Sequence, residues 1–158
     1  MNRIDIIIQS PQYVDLLNRL QVLETDRIFC RHDMSHFMSV ARLMWKEVLE
    51  QQLSADREVV YAAALLHDMG RVEQMEHGTP HEQASAEFAQ QILPDAGFNE
   101  EELSEVTAAI LSHREDCSVS ELGKILYQAD KRSRACWCCS ASNLCNWPEQ
   151  KKNKGIFR

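Results

Sequence analysis

The 158-residue sequence is short of the residues that interrupt helices, with only five glycines and four prolines. With ordinary apolar content, that scarcity favours a helical globule over a disordered chain or a β-sandwich. Positive charge is also short. The formal net charge is -7, and an acidic surface repels phosphate backbones, which argues against general nucleic-acid binding. A small phosphorylated ligand stays admissible, because a local metal overrides global charge. No run of eighteen apolar residues occurs, so no membrane-spanning helix and no membrane partner are expected. The first ten residues carry one positive charge, Arg3, and the run Ile4-Asp5-Ile6-Ile7-Ile8 is too short and too broken by Asp5 for a secretory signal. The expected location is cytoplasmic.

Cysteine is not scarce. There are six, and in a cytoplasmic chain they point to metal binding or free thiols before disulfides. Four of them fall between Cys136 and Cys145. The length suits one domain, which buries roughly 70% of its unfolded surface.

Start and stop signals predict six helices and no strand. The first runs from about Pro11 to Glu24, with Ser10 as cap and Pro11 at the first helical position. The second covers about Asp33 to Gln52. The third starts at the cap Asp56 and ends near Met69, where Gly70 supplies the stop. The fourth follows the turn His77-Gly78-Thr79 and runs from Pro80 to about Leu93. The fifth starts at Asn99, with Glu102 as capping-box partner, and ends near His113. The sixth starts at Ser118, with Glu121 in the same role, and reaches about Ala135. The basic end, Lys151-Lys152-Asn153-Lys154, reads as a solvated tail.

Polar residues recur on the apolar faces of these helices. Asp130 shares a stripe with Leu122, Ile125, Leu126 and Ala129. His113 follows Val106, Ala109 and Ile110 at the same spacing, His81 shares a face with Ala84, Phe88 and Ile92, and His36 shares one with Val40, Leu43 and Met44. The apolar run Val59 to Leu66 leads into His67 and Asp68, and an Asp at a helix C-terminus opposes the macrodipole unless a cation is bound. A single such His is usually a satisfied core residue. Four His and two Asp over five helices would cost several kcal/mol to bury unpartnered, and one shared metal centre satisfies them together. His32 lies four residues before His36, and spacing alone does not choose between the two.

This ordered set resembles the HD superfamily of metal-dependent phosphohydrolases. The match consists of His36 in His36-Phe37-Met38-Ser39-Val40-Ala41, His67-Asp68 in Ala64-Leu65-Leu66-His67-Asp68-Met69-Gly70-Arg71, and Asp130 in Tyr127-Gln128-Ala129-Asp130-Lys131. His81 and His113 match two further His that many members carry. The resemblance covers about Cys30 to Arg134, and its first-ligand helix prefers His36 over His32.

The resemblance implies an all-α, compact bundle of about six helices over residues 1–135, with an irregular Cys-rich tail, 136–158, packed on it. It implies hydrolysis of a phosphate ester or anhydride, on a nucleotide or a dinucleoside polyphosphate, by a site whose metal ligands are His36, His67, Asp68 and Asp130. His81 and His113 would hold a second ion, with Asp68 bridging. Such a mixed nitrogen and oxygen set suits iron, manganese, nickel or zinc, one or two ions. The metal would activate water and polarise the phosphoryl oxygen, and Arg71 and Lys131 would bind phosphate oxygens, with Arg114 the remaining basic residue near the ligands. Two subfamilies are disfavoured: the Gly-Tyr-Pro extension of cyclic-di-GMP phosphodiesterases is missing after His113, and the acidic pair of alarmone hydrolases is replaced by Met69-Gly70-Arg71. Two other classes stay open, a metal-binding HD module without turnover and a protein whose activity lies in its cysteines.

Cys136 and Cys139 have the C-x2-C spacing that grips a soft metal, and Cys145 is a third candidate. The fourth is Cys138, or Cys30 brought over from before the second helix. Zinc or an iron–sulfur cluster would suit such a set. The alternative is reduced thiols that pack Trp137 and Trp147 against the bundle.

Overall fold

Side-chain caps set most of the helix starts. Asn2 accepts from the Asp5 amide and opens α1, Arg3–Gln9. Ser10 accepts from Tyr13 and opens α2, Pro11–Leu23, with Pro11 at its first position. Asp33 opens α3, Met34–Glu50, by accepting from His36, and Asp56 opens α4, Arg57–Leu66. Then follow α5, Arg71–His77, and α6, His81–Ile92. Asn99 and Glu102 form the expected capping box of α7, Glu100–Ser112. Ser120 caps α8, Glu121–Arg132. Two short 3-10 turns, Cys136–Cys138 and Ser142–Leu144, complete the chain. The computed structural model describes residues 1–114 and 120–156, and among these there is no strand. The fold is the expected all-α bundle.

The bundle is built around α4. Seven of its ten residues are buried, Val59, Val60, Ala62, Ala63, Ala64, Leu65 and Leu66. A helix that is apolar all round has no face to give to water and takes the centre. It packs on α1, α3, α6, α7 and α8. Its small Ala62-Ala63-Ala64 segment lets these neighbours approach closely.

Eight helices stand among the described residues where six were predicted. The first addition, α1, is too short and too evenly apolar to show a helical period, although Ile7 is fully buried. It is tied down by Arg3, whose guanidinium reaches Glu58 at 2.6 Å, Glu102 at 2.8 Å and Asp56 at 3.2 Å. The second addition, α5, splits what was predicted as one helix to Met69 followed by a loop. α4 stops at Leu66, and residues 67–70 turn directly into α5. The predicted start of α8 at Ser118 lies outside the described residues; the cap is Ser120.

Gly70 departs from its predicted role. Its φ of -67° is ordinary, and it begins α5 rather than stopping α4 with a left-handed turn. Space is the reason for glycine here. A Cβ on Gly70 would lie 2.1 Å from the His81 carbonyl oxygen and 2.5 Å from the Ser85 nitrogen. The left-handed stop is at Gly78, which ends α5 with φ 78°.

The basic end is solvated only in part: Lys151 and Lys154 are exposed as predicted, but Lys152 and Asn153 are not. Asn153 is buried and donates to the Arg132 and Arg134 carbonyls at 2.9 and 3.0 Å. Lys152 donates to the Ser142 carbonyl at 3.1 Å.

Replacing Gly70 forces two backbones apart. Gly70→Ala is expected to destabilise the fold by about 2 kcal/mol, or about 4–8 °C in Tm. Thermal unfolding followed by circular dichroism measures this; an unchanged Tm would show that α5 and α6 are not locked at this contact.

Candidate metal centre

The polar side chains on the helix faces converge. His36 comes from the first turn of α3, His67 and Asp68 from the turn between α4 and α5, and His81 from the start of α6. His113 follows the last residue of α7, and Asp130 lies in the last turn of α8. None of the six is more than 6% exposed, so each would carry a large desolvation cost without a partner. Asp68 directly follows His67, the C-terminal cap of α4, so it stays at the negative end of that helix, and the imidazoles and Arg71 around it meet its charge.

Asp68 is the hub. Its Oδ2 faces the His67 Nε2 at 3.2 Å, and its Oδ1 faces the His81 Nε2 at 3.2 Å and the His113 Nε2 at 3.7 Å. Two groups of ligand atoms result, each within 4.8 Å: His36, His67, Asp68 and Asp130, and then Asp68, His81 and His113. The first group is closed by Asp130, whose Oδ1 lies 3.3 Å from the His36 Nε2. The imidazoles are held by their other nitrogens. His67 Nδ1–H donates to the Ala64 carbonyl at 2.8 Å and His113 Nδ1–H to the Ile110 carbonyl at 2.5 Å. Such contacts fix the tautomer and leave Nε2 as the ligand atom. The Nε2 atoms of His36 and His67 are buried with no hydrogen-bond partner. Orphaned nitrogens beside paired carboxylates fit a divalent transition metal in the first group. In the second, the Nε2 atoms of His81 and His113 face each other at 3.3 Å.

The HD domain model matches residues 34–135. The chain belongs to the HD domain family. Across 157 residues this HD-domain chain is 40% identical to an uncharacterised protein of Clostridium beijerinckii, with 99% of each chain covered. It is also similar to the crystal structure of a predicted HD superfamily hydrolase from an uncultured Thermotogales bacterium. That match has 29% identity and a TM-score of 0.65, and it covers 96% of this chain and 87% of the other. No helix among the described residues of the HD-domain chain is long and apolar enough to cross a membrane.

His32 belongs to the neighbourhood, although the sequence left it as the competitor of His36. The two do not share a helix, because Asp33 starts α3 between them. His32 is buried on extended chain, and Glu24 holds both its amide and its Nδ1 at 2.6 Å. Its Nε2 is then 3.5 Å from Asp68 Oδ2. The signal for this pair, a Glu and a His eight residues apart across a loop, has no helical period and is invisible to a search by helix face.

The charges in the HD-domain centre are tightly balanced. Burial works against both carboxylates, yet His67 and the other imidazoles hold Asp68 well below the usual carboxylate range, and His36 and His67 do the same for Asp130. Burial pushes His36 down to about 4 and His81 to about 3. His67 goes the other way. Burial opposes its charge, but Asp68 and Asp130 together outweigh it and push His67 up to about 9. His36 faces only Asp130 and is repelled by Arg134 and His67, which explains the opposite directions.

A cavity of about 730 Å³ opens above these groups. Arg71, Arg114 and Lys131, the predicted phosphate binders and their neighbour, all line it. Arg71 is held by Asp68 Oδ1 at 3.1 Å and Gln74 at 3.2 Å, and Lys131 pairs with Asp130. Cys30, Cys136, Cys139 and Cys145 line the same cavity, whereas Cys138 does not.

Two outcomes follow for the metal. Asp68→Ala is expected to empty both groups, whereas His81→Ala or His113→Ala empties only the second; metal content per chain by plasma mass spectrometry separates them. Equal metal in wild type and Asp68→Ala would remove Asp68 from the centre. The second outcome concerns protons. In the metal-free protein the raised His67 pKa adds stability below about pH 6.5, which fades as pH rises through about 9. At pH 7 His36 and His81 are already neutral, so metal binding is expected to release about one proton, from His67. Calorimetry in two buffers of different ionisation enthalpy counts it, and the count should fall toward zero above pH 9.

Proposed function

We propose that this chain is a metal-dependent phosphohydrolase that cleaves a phosphate ester or anhydride of a nucleotide or a dinucleoside polyphosphate. The observation that carries the reading is the sign of charge in the cavity. The whole chain is acidic at -7, yet the cavity is lined by seven Lys and Arg residues against two carboxylates, Asp68 and Asp130. Both carboxylates belong to the ligand groups. The other charged residues of the lining are all Lys or Arg. Such a wall above a His/Asp floor favours a polyanion whose reacting end sits at the metals. The volume lies within the range that holds a nucleotide. The similar Thermotogales protein is a predicted HD superfamily hydrolase, which supports the same class of chemistry.

The chain's residues divide the work. His36, His67, Asp68 and Asp130 would hold one ion, and Asp68, His81 and His113 a second. Divalent iron, manganese, nickel or zinc would supply Lewis-acid charge at phosphorus and activate water near neutral pH. Lys131, Arg71 and Arg114 bind the non-reacting phosphate oxygens. Lys131 is carried toward the cavity between the rings of Tyr127 and Trp147, about 5 Å from each centroid. Trp147 gives a base a surface to stack on. His32, steadied by Glu24, presents Nε2 beside Asp68 and passes a proton to the leaving oxygen.

Phosphate release from nucleoside mono-, di- and triphosphates and dinucleoside polyphosphates, each with the four metals restored in turn, tests the reading. Turnover with at least one pair is expected, and its absence from all pairs would leave a metal-binding module without catalysis. With an active substrate, His32→Ala is expected to keep its metal and lose about 100-fold in kcat. Loss of metal in that variant would make His32 a ligand instead.

A further inference from the structure

The C-terminal segment is held against the bundle with almost no apolar burial. Among its described residues only Ala141 is a buried hydrophobe; Trp137 is 49% exposed and Leu144 70%. Of the two tryptophans that plain reduced thiols were expected to pack against the bundle, Trp137 is largely exposed and Trp147 is half-buried over Lys131. What the segment does bring to the bundle is sulfur. The turns at Cys136–Cys138 and Ser142–Leu144 are tightened by Cys139 N–H to the Cys136 carbonyl and Cys145 N–H to the Ser142 carbonyl, both at 3.3 Å. They carry Cys136, Cys139 and Cys145 to the wall of the large cavity, where Cys30 arrives from the loop before α3. That loop is pinned there. Arg27 Nε donates to the Cys30 carbonyl at 2.8 Å, and Arg134 Nη1 donates to the Arg31 carbonyl at 2.7 Å.

Three further observations bear on what four sulfurs do at this place. All four are free thiols, with no disulfide among them. Arg134 lies beside them, nine-tenths buried, and its Nε has no partner, which is the state of a cation awaiting an anionic group. Burial raises the Cys30 thiol, Arg134 opposes it, and the neighbouring Cys136, Cys139 and Cys145 raise it further. Spacing then chooses between metals. Four thiolates on one tetrahedral zinc, each at about 2.3 Å, stand about 3.8 Å apart. Among the described residues the groups with ligand atoms within 4.8 Å of one another contain no cysteine. No three of these four sulfurs lie within 4.8 Å of one another. A cluster with one thiolate on each iron needs that wider spacing. Cys138 is the fifth thiol of the neighbourhood; it lines a second cavity beside Cys30, Cys136 and Cys139 rather than the large one, and its Sγ–H donates to the Ala135 carbonyl at 3.5 Å.

We propose that Cys30, Cys136, Cys139 and Cys145 bind a tetranuclear iron–sulfur cluster that fastens the C-terminal segment as one wall of the cavity. The cluster is distinct from the His/Asp centre and does not depend on the activity proposed above. Its net negative charge is met by Arg134, and its role is to fix Trp147, Lys151 and Lys152 over the cavity. No electron transfer is assigned to it.

The test uses the full chain, purified without oxygen and reconstituted with ferrous iron and sulfide. Acid-labile sulfide is the deciding readout, because iron at the His/Asp centre carries none. Wild type is expected to hold about four sulfides per chain with broad visible absorption. Cys138→Ser should match it, whereas Cys30→Ser and the double variant Cys136→Ser, Cys139→Ser should fall to background. Circular dichroism and the metal content of the His/Asp centre report whether each variant is folded. Should the double variant fail to fold, wild type and Cys138→Ser still decide. Absence of labile sulfide from wild type, one zinc per chain in its place, or equal sulfide in wild type and a folded double variant would overturn the cluster.

Discussion

The contact on which the rest depends is the burial of one carboxylate, Asp68, among imidazoles. It is 2% exposed, and its two oxygens face different histidines, His67 on one side and His81 and His113 on the other. A buried carboxylate is costly alone and favourable only when its lone pairs are met. Here the partners come from separate helices, so meeting them fixes how those helices sit. α6 and α7 are drawn to one oxygen, and α3 and α8 are joined to the other through His36 and Asp130. The polar centre and the packing of the bundle are one constraint.

Small residues make that convergence feasible. α4 carries three consecutive alanines and no polar face, so its neighbours come close on all sides. Gly70 lets α6 lie against the turn that holds Asp68, with the Ser85 hydroxyl accepting from the Gly70 amide at 2.8 Å. The same contact places His81 at the start of α6 beside Asp68. Packing geometry at one glycine thus sets a distance in the metal centre.

Charge is arranged against the average of the chain. Several acidic groups on the outside are tied to arginines, as in the Arg3 network and the Arg19 pairs with Glu76 and Asp15. The cavity collects the cations. Several come from the bundle, and Lys151 and Lys152 come from a segment held by polar contacts with little apolar burial and, on the cluster proposed above, by its cysteines. This is why the state of the cysteines bears on what the cavity binds.

Much of this was readable from the sequence. Helix caps at Ser10, Asp56 and Asn99, the helical class and the His/Asp faces follow from local chemistry, because a cap acts over three residues and a face repeats every three or four. The order His36, His67-Asp68, Asp130, with His81 and His113, marked the family on the same local evidence. The short α1 and α5 were missed because seven residues carry too little period, and Gly70 was misread because a close approach leaves no mark in the sequence beyond the glycine itself. Only the tertiary structure decided which oxygen of Asp68 meets which histidine, that His32 reaches Asp68 from outside α3, and that Cys30 joins Cys136, Cys139 and Cys145 at one cavity. Periodicity tells which side of its own helix a residue occupies. It carries no information about which helices meet, since that is settled by packing between segments far apart in the chain.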